Sequence, residues 1–312
     1  MIRGGQIQWI SSLRGLLVFL VFFSHLVIPI ASKEFLFVMG RIGVVGFFLI
    51  SGYLAVSSVS RRSIKQFYFN RFLRIYPMFW LLVIMTFLLS DKWNVGELLW
   101  NMTLFEEFVR CDKMIGSSWM LPIMVVFFLF LPYVYRSKKR MEIVWWIICA
   151  GCVIIAMMRY LTGKPFPTAL CLLMNVGLLG FMDKTEDNKY VLHKICIYEI
   201  LLIVCAYLSY GDRVVAYFIA YNLGFATYYL FKKKNIHIKA FDVLGEQGFT
   251  FFLGAAIPMI ALANVLPSIV DWDWYNYAIL QFVLTFIFSY VLTRWCERPL
   301  LAWGKKIEAK CK

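Results

Sequence analysis

Ten stretches of apolar residues, separated by short polar segments, take up most of this chain. They lie at 10–31, 37–59, 75–90, 119–136, 142–162, 166–182, 193–210, 214–231, 244–267 and 275–295. Most reach the ~17–25 residues that a helix needs to cross a bilayer. They are apolar on all sides and lack the strict alternation of a half-buried strand. The pattern predicts an all-α, polytopic membrane helix bundle of about ten transmembrane helices, with 1–312 as a single integral membrane domain.

The first stretch departs from the pattern. Between Ile10 and Ile30 it carries Arg14 and His25. Ionisable groups at membrane depth are costly and are usually kept for a function. Eleven residues separate the two, which on a helix is three turns plus about 20°, so both share one face about 16.5 Å apart along the axis. His25 is one of three histidines in the chain and the only one within an apolar core, His193 standing at the very edge of its stretch. Three readings of it are open: a hydrogen-bonded packing residue, a proton-relay element, or a base able to take a proton from a hydroxyl nucleophile.

The polar segments set the orientation. With the N-terminus inside, 23 of the 32 lysines and arginines fall in inner segments, six in outer loops, and Arg14, Arg41 and Arg159 within apolar stretches. That bias predicts both termini in the cytoplasm. It also accounts for the net charge of +14 without nucleic acid as a partner. A mean hydropathy of +0.73 leaves no room for a soluble class, and no appended soluble domain or cleaved leader is expected. Cys149 and Cys152 form a C-x-x-C inside an apolar stretch without a second pair, so buried thiols are expected there and no metal site. The largest outer loop, 91–118, carries Asp91, Glu97, Glu106, Glu107 and Asp112, and the last carries Asp271, Trp272, Asp273 and Trp274, the tryptophans read as interfacial anchors.

Three further groups have polar character where it is unexpected. Arg71 and Arg74 sit three apart at the inner mouth of the third stretch and share a helix face. Paired guanidinium forks suit a phosphate, and they suit lipid head groups and topology equally. In the second stretch Gly40, Gly43 and Gly46 allow a close helix approach. Arg41 beside them either snorkels to the outer surface or shares a polar site with His25, whose depth it matches. Arg159 and Glu199 lie within spans and have no assigned role. There is no internal inverted repeat of the kind found in many transporters.

Taken in order, five segments resemble the acyltransferase 3 family of integral membrane acyltransferases. Ser12-Leu13-Arg14-Gly15 through His25 is similar to its R-x10-H, and Phe47-Phe48-Leu49-Ile50-Ser51-Gly52-Tyr53 to its F-F-x-x-S-G-[FY]. Arg71-Phe72-Leu73-Arg74-Ile75-Tyr76-Pro77 is similar to its R-x-x-R-[IL]-x-P, Ser118-Trp119-Met120-Leu121-Pro122 to its S-W-S-L-P, and Glu297-Arg298-Pro299 to its closing E-R-P. The resemblance implies transfer of an acyl group, usually acetyl, from cytoplasmic acetyl-CoA to a hydroxyl of a cell-surface polysaccharide or its lipid-linked precursor, in a bacterial cell membrane. It implies Arg71, Arg74 and Arg14 as holders of the coenzyme A phosphates, His25 with Arg14 as the catalytic pair, and Arg41, Ser51 and Trp119 as acceptor-side or structural support. Acyl-CoA, a glycan acceptor and membrane lipid are the implied partners. Three positions depart from the family pattern: Ser11 where Asp is common, Met124 where Glu is usual and Ala255 where His is common. Two alternatives are a succinyl or other acyl donor on the same fold, and a transporter or export factor for a glycan or small anion.

Overall fold

The computed structural model describes residues 8–26, 28–90, 92–106, 111–266 and 273–310, and the expectations for Arg3, Asp91, Glu107, Arg110, Asp271, Trp272 and Lys312 lie outside them. Among the described residues there is no strand. The helices are α1 (Gln8–Ser24), α2 (Lys33–Ser60), α3 (Ile64–Leu88), α4 (Val95–Thr103), α5 (Met120–Tyr135), α6 (Lys138–Thr162), α7 (Thr168–Thr185), α8 (Asn188–Tyr210), α9 (Val214–Lys234), α10 (Lys239–Glu246), α11 (Gly248–Gly254), α12 (Ile257–Val265), α13 (Trp274–Leu292) and α14 (Arg298–Lys310). This is a polytopic helical membrane protein.

Local signals fix several starts. The Ser32 hydroxyl accepts from the Phe35 amide to cap α2, and Ser63 with Gln66 forms a reciprocal capping box on α3. That box starts α3 at Ile64, well before the apolar stretch begins at 75, so Arg71 and Arg74 lie inside a helix that runs unbroken through Pro77.

Ten crossings are not reached by length and apolarity alone. Six described helical segments are long and apolar enough, or seven if the bent pair α11–α12 counts as one. One of the six, Asn188–Lys234, would be about 70 Å long if straight, more than twice the hydrocarbon thickness. It is a hairpin: the Asn222 amide donates to Glu199 at 3.0 Å across α8 and α9, and the chain reverses at Gly211, where φ is +51°. The α1 and α7 helices are shorter, with most of their residues buried against α2.

The α2 helix is the centre. Its Gly52 lies so close to α7 that a Cβ there would meet the Gly177 carbonyl oxygen at 1.9 Å, and a Cβ on Gly180 of α7 would meet the Leu49 carbonyl oxygen at 2.2 Å. Glycine at these crossings lets backbones touch. Gly40, Gly43 and Gly46 seat α1 in the same way, against Ser24, Val21 and Leu17.

The basic segments expected on one membrane side are tied to one another. Arg62 pairs with Glu308 at 3.1 Å, Lys138 with Glu186 at 2.6 Å, Lys232 with Asp183 at 2.6 Å and Arg298 with Glu246 at 2.5 Å. The opposite end joins other segments: Asn264 donates to the Leu89 carbonyl at 2.6 Å and Ser117 to the Phe252 carbonyl at 3.1 Å. The molecule thus has a basic end and an opposite end, as the charge alternation predicts.

Two expected spans end or break early. The first, 10–31, stops at Ser24, because the Ser24 hydroxyl and the His25 ring both turn back onto the Val21 carbonyl at 2.7 Å and Pro29 follows. The ninth, 244–267, is three helices, with a 44° bend between α11 and α12. Pro258 in the first turn of α12 has no amide hydrogen to carry the ladder across the break, and Thr285 of α13 donates to the Ala255 carbonyl there at 3.0 Å.

Candidate active site

At the basic end α1, α3 and the α13–α14 junction bring charges together. Arg14 lies within electrostatic reach of Arg74 and Glu297, and Arg71 within reach of Arg74, Arg62 and Arg14. The Arg71 guanidinium lies over Phe128 at 4.3 Å and Phe67 at 5.2 Å, two rings steeply inclined to each other, and its buried Nε has no hydrogen-bond partner. Arg74 is exposed by surface area although Glu297, Arg62 and Glu308 surround it, as expected of a group lining a concavity. Four arginines therefore face two carboxylates. The surplus positive charge and the unused Arg71 donor fit an anionic ligand with several oxygens.

The sequence singled out Arg14, Arg71 and Arg74 and missed what braces them. Glu297 sits on a π-helical turn, Thr293–Glu297, between α13 and α14. It accepts from the buried Thr250 of α11 at 2.9 Å and from Thr293 at 3.3 Å. The closing Glu297-Arg298-Pro299 motif was the signal for it. Glu308 of α14 and Arg62 in the turn between α2 and α3, which close the cluster, carry no such signal.

At the opposite end His25 corrects its expected placement. It is not buried in an apolar core but stands exposed on the turn after α1. Its Nδ1 lies 2.7 Å from the Val21 carbonyl oxygen, which can only accept, so in the neutral ring the proton sits on Nδ1 and Nε2 keeps its lone pair. The ring lines a cavity of about 230 Å³ together with Thr86, Ser117, Gln281, Phe252 and Ala255. That is below the ~300–1,000 Å³ usual for whole ligands, so it admits part of one.

Arg41 is half-buried and does not line the cavity with His25. Its guanidinium packs over Trp119 at 4.7 Å, Phe37 at 5.2 Å and Tyr217 at 5.4 Å. Trp119 is held in place by its neighbour Ser118, which donates to the buried Glu106 at 3.3 Å. Ser51 donates to the Met124 sulfur at 3.9 Å, so two of the motifs meet at the residue that departs from the family pattern. Ser11 is buried against Gly245 of α10, and the carboxylate it lacks is found one residue on, where Ser12 donates to Asp242 of α10 at 2.5 Å. Cys149 and Cys152 are buried beside the Asn175 amide at 3.6 and 3.8 Å.

The arrangement has an anion-holding cluster at the start of α1 and a free imidazole nitrogen in a cavity at its end. No curated protein and no solved structure matches the chain. The sequence model of the acyltransferase domain matches residues 7–304, nearly its whole length, and the chain belongs to the acyltransferase 3 family of membrane acyltransferases.

Proposed function

We propose that this acyltransferase moves an acetyl group from cytoplasmic acetyl-CoA to a hydroxyl of a cell-surface glycan or its lipid-linked precursor. One observation carries the reading: α1 has Arg14 in the arginine cluster at one end and His25 in the cavity just past the other. Arg71, Arg74 and Arg14 bind the donor phosphates. The acyl end of the donor extends along α1 towards the cavity. His25 Nε2 takes the proton of the acceptor hydroxyl as its oxygen attacks the thioester carbonyl, and the thiolate leaves. Trp119 and Ser51 support the acceptor side.

The test uses the full-length protein in vesicles, with acetyl-labelled coenzyme A inside and a mixture of surface glycans outside. Labelled glycan that depends on His25 supports the reading. Label that enters glycan equally in wild type and His25→Ala, or only from another acyl donor, overturns it.

A further inference from the structure

Three arginines at the opposite end share one aromatic wall. Arg159 of α6 stacks over Tyr210 at 4.8 Å. Tyr210 lies face to face with Tyr217 at 4.3 Å and 10°. Tyr217 in turn supports Arg41, which Trp119 covers from the other side. Phe37 touches the same group and also carries Arg213 at 5.9 Å. Arg213 is exposed, Arg41 and Arg159 half-buried.

Among the described residues none of the three has a carboxylate partner. Among the described residues, the hydrogen bond of this set runs from Arg159 to the Phe166 carbonyl at 3.0 Å. Arg41 Nη1 is buried and has no hydrogen-bond partner at all. Two cations on other helices are paired instead, Lys194 with Glu142 at 2.6 Å and Lys232 with Asp183 at 2.6 Å, and the unpaired Arg71 belongs to the cluster at the basic end. Cations held by ring faces alone keep their forks of donors for something else. Two links tie the elements that carry the wall to those that line the His25 cavity. Gly40, next to Arg41, packs on Ser24, next to His25, and Ser117 of the cavity lies two residues from Trp119.

We propose that this wall is a subsite for an acidic glycan acceptor, the arginines binding its oxyanions. The proposal rests on the glycan reading above and narrows it to anionic acceptors. The shared chemistry is an oxyanion on a sugar chain, supplied either by a carboxylate or by a phosphodiester.

Full-length protein in nanodiscs is titrated with a hexuronate tetrasaccharide, its carboxyl-reduced neutral counterpart and a glycerol phosphate oligomer. The expected result is that at least one acidic probe binds about tenfold or more tighter than the neutral one and weakens as salt screens it. The Arg159→Gln/Arg213→Gln double variant, with an unchanged melting temperature, loses that preference. Which acidic probe binds identifies carboxylate or phosphodiester. Equal affinity for neutral and acidic probes, no binding of any probe, or full acidic-probe affinity in the double variant overturns the subsite. Acyl transfer is measured in parallel. Charge-dependent binding without transfer from acetyl-CoA counts against the glycan acetylation reading alone, and transfer that the double variant leaves intact on both neutral and acidic probes counts against the subsite alone.

Discussion

His25 Nδ1 is held 2.7 Å from the carbonyl oxygen of Val21, one turn back on the same chain. The bond does two things at once. It ends α1, and it points a lone-pair-bearing Nε2 away from the helix. A base oriented in this way acts on the chemical step rather than on donor binding. His25→Ala is expected to lower the transfer rate ~10²–10⁴-fold, the usual contribution of a positioned base, with coenzyme A affinity unchanged. A vesicle assay with labelled thioester reads the rate, and transfer within a few-fold of wild type removes His25 from the mechanism.

Arg71 is the cluster member with an unused buried donor and two flanking phenylalanines. Losing it removes a charge-assisted contact of about 1.5–3 kcal/mol, hence roughly tenfold to a hundredfold in donor affinity. Arg71→Lys should recover little of this, because an ammonium offers neither the planar fork nor the same stacking. Calorimetry with coenzyme A distinguishes the outcomes: wild-type affinity in Arg71→Ala assigns the phosphates elsewhere.

The helical membrane fold and the key side chains of the basic end were readable from sequence, for physical reasons. Apolar runs and loop charge report directly on a bilayer, and Arg14, Arg71 and Arg74 stand out because charge is costly where they are. What joins them was not readable. Thr250 meets Glu297 only because α11 is a separate short helix and the chain inserts a π turn at Thr293–Glu297. The exposure of His25 depends on where α1 stops, which two side chains competing for one carbonyl decide. Arg159 had no role in sequence because Tyr210, which carries it, lies on α8 across a hairpin from the Tyr217 it stacks on.

The contact of α2 with α7 is backbone on backbone, so its tolerance is sharply defined. A methyl added at Gly52 would meet the Gly177 carbonyl, whereas Gly116, at the start of the 3-10 turn before α5, has nothing within 4 Å of where its Cβ would lie. Gly52→Ala is expected to destabilise the bundle by about 1–3 kcal/mol through overpacking, and Gly116→Ala to change stability by a few tenths at most. Thermal unfolding in detergent compares the pair directly. Equal melting temperatures would show that α2 and α7 separate without loss, against the close approach described.

Asp242 pins α10 to the start of α1. One carboxylate oxygen accepts from the buried Ser12 hydroxyl at 2.5 Å, and the other faces His237 Nε2. Ser12 also accepts from the Ile238 amide at 2.9 Å, so the segment before α10 and α10 itself are both fixed through one side chain two residues from Arg14. Asp242→Ala leaves the Ser12 hydroxyl only the long contact to the Ile238 carbonyl at 3.4 Å in a buried site, at about 1–3 kcal/mol. Asp242→Asn keeps an oxygen to accept from Ser12 and loses only the charge towards the half-exposed His237, a pairing worth about 1 kcal/mol or less. The expected order of stability is therefore wild type, Asn, Ala, with the larger gap between the last two. Because Arg14 is carried on the same turn of α1, coenzyme A affinity should fall with Asp242→Ala and hold with Asp242→Asn. Melting curves and calorimetry on the two variants check this, and a loss as large in Asn as in Ala would mean that the charge, not the hydrogen bond to Ser12, holds α10 in place.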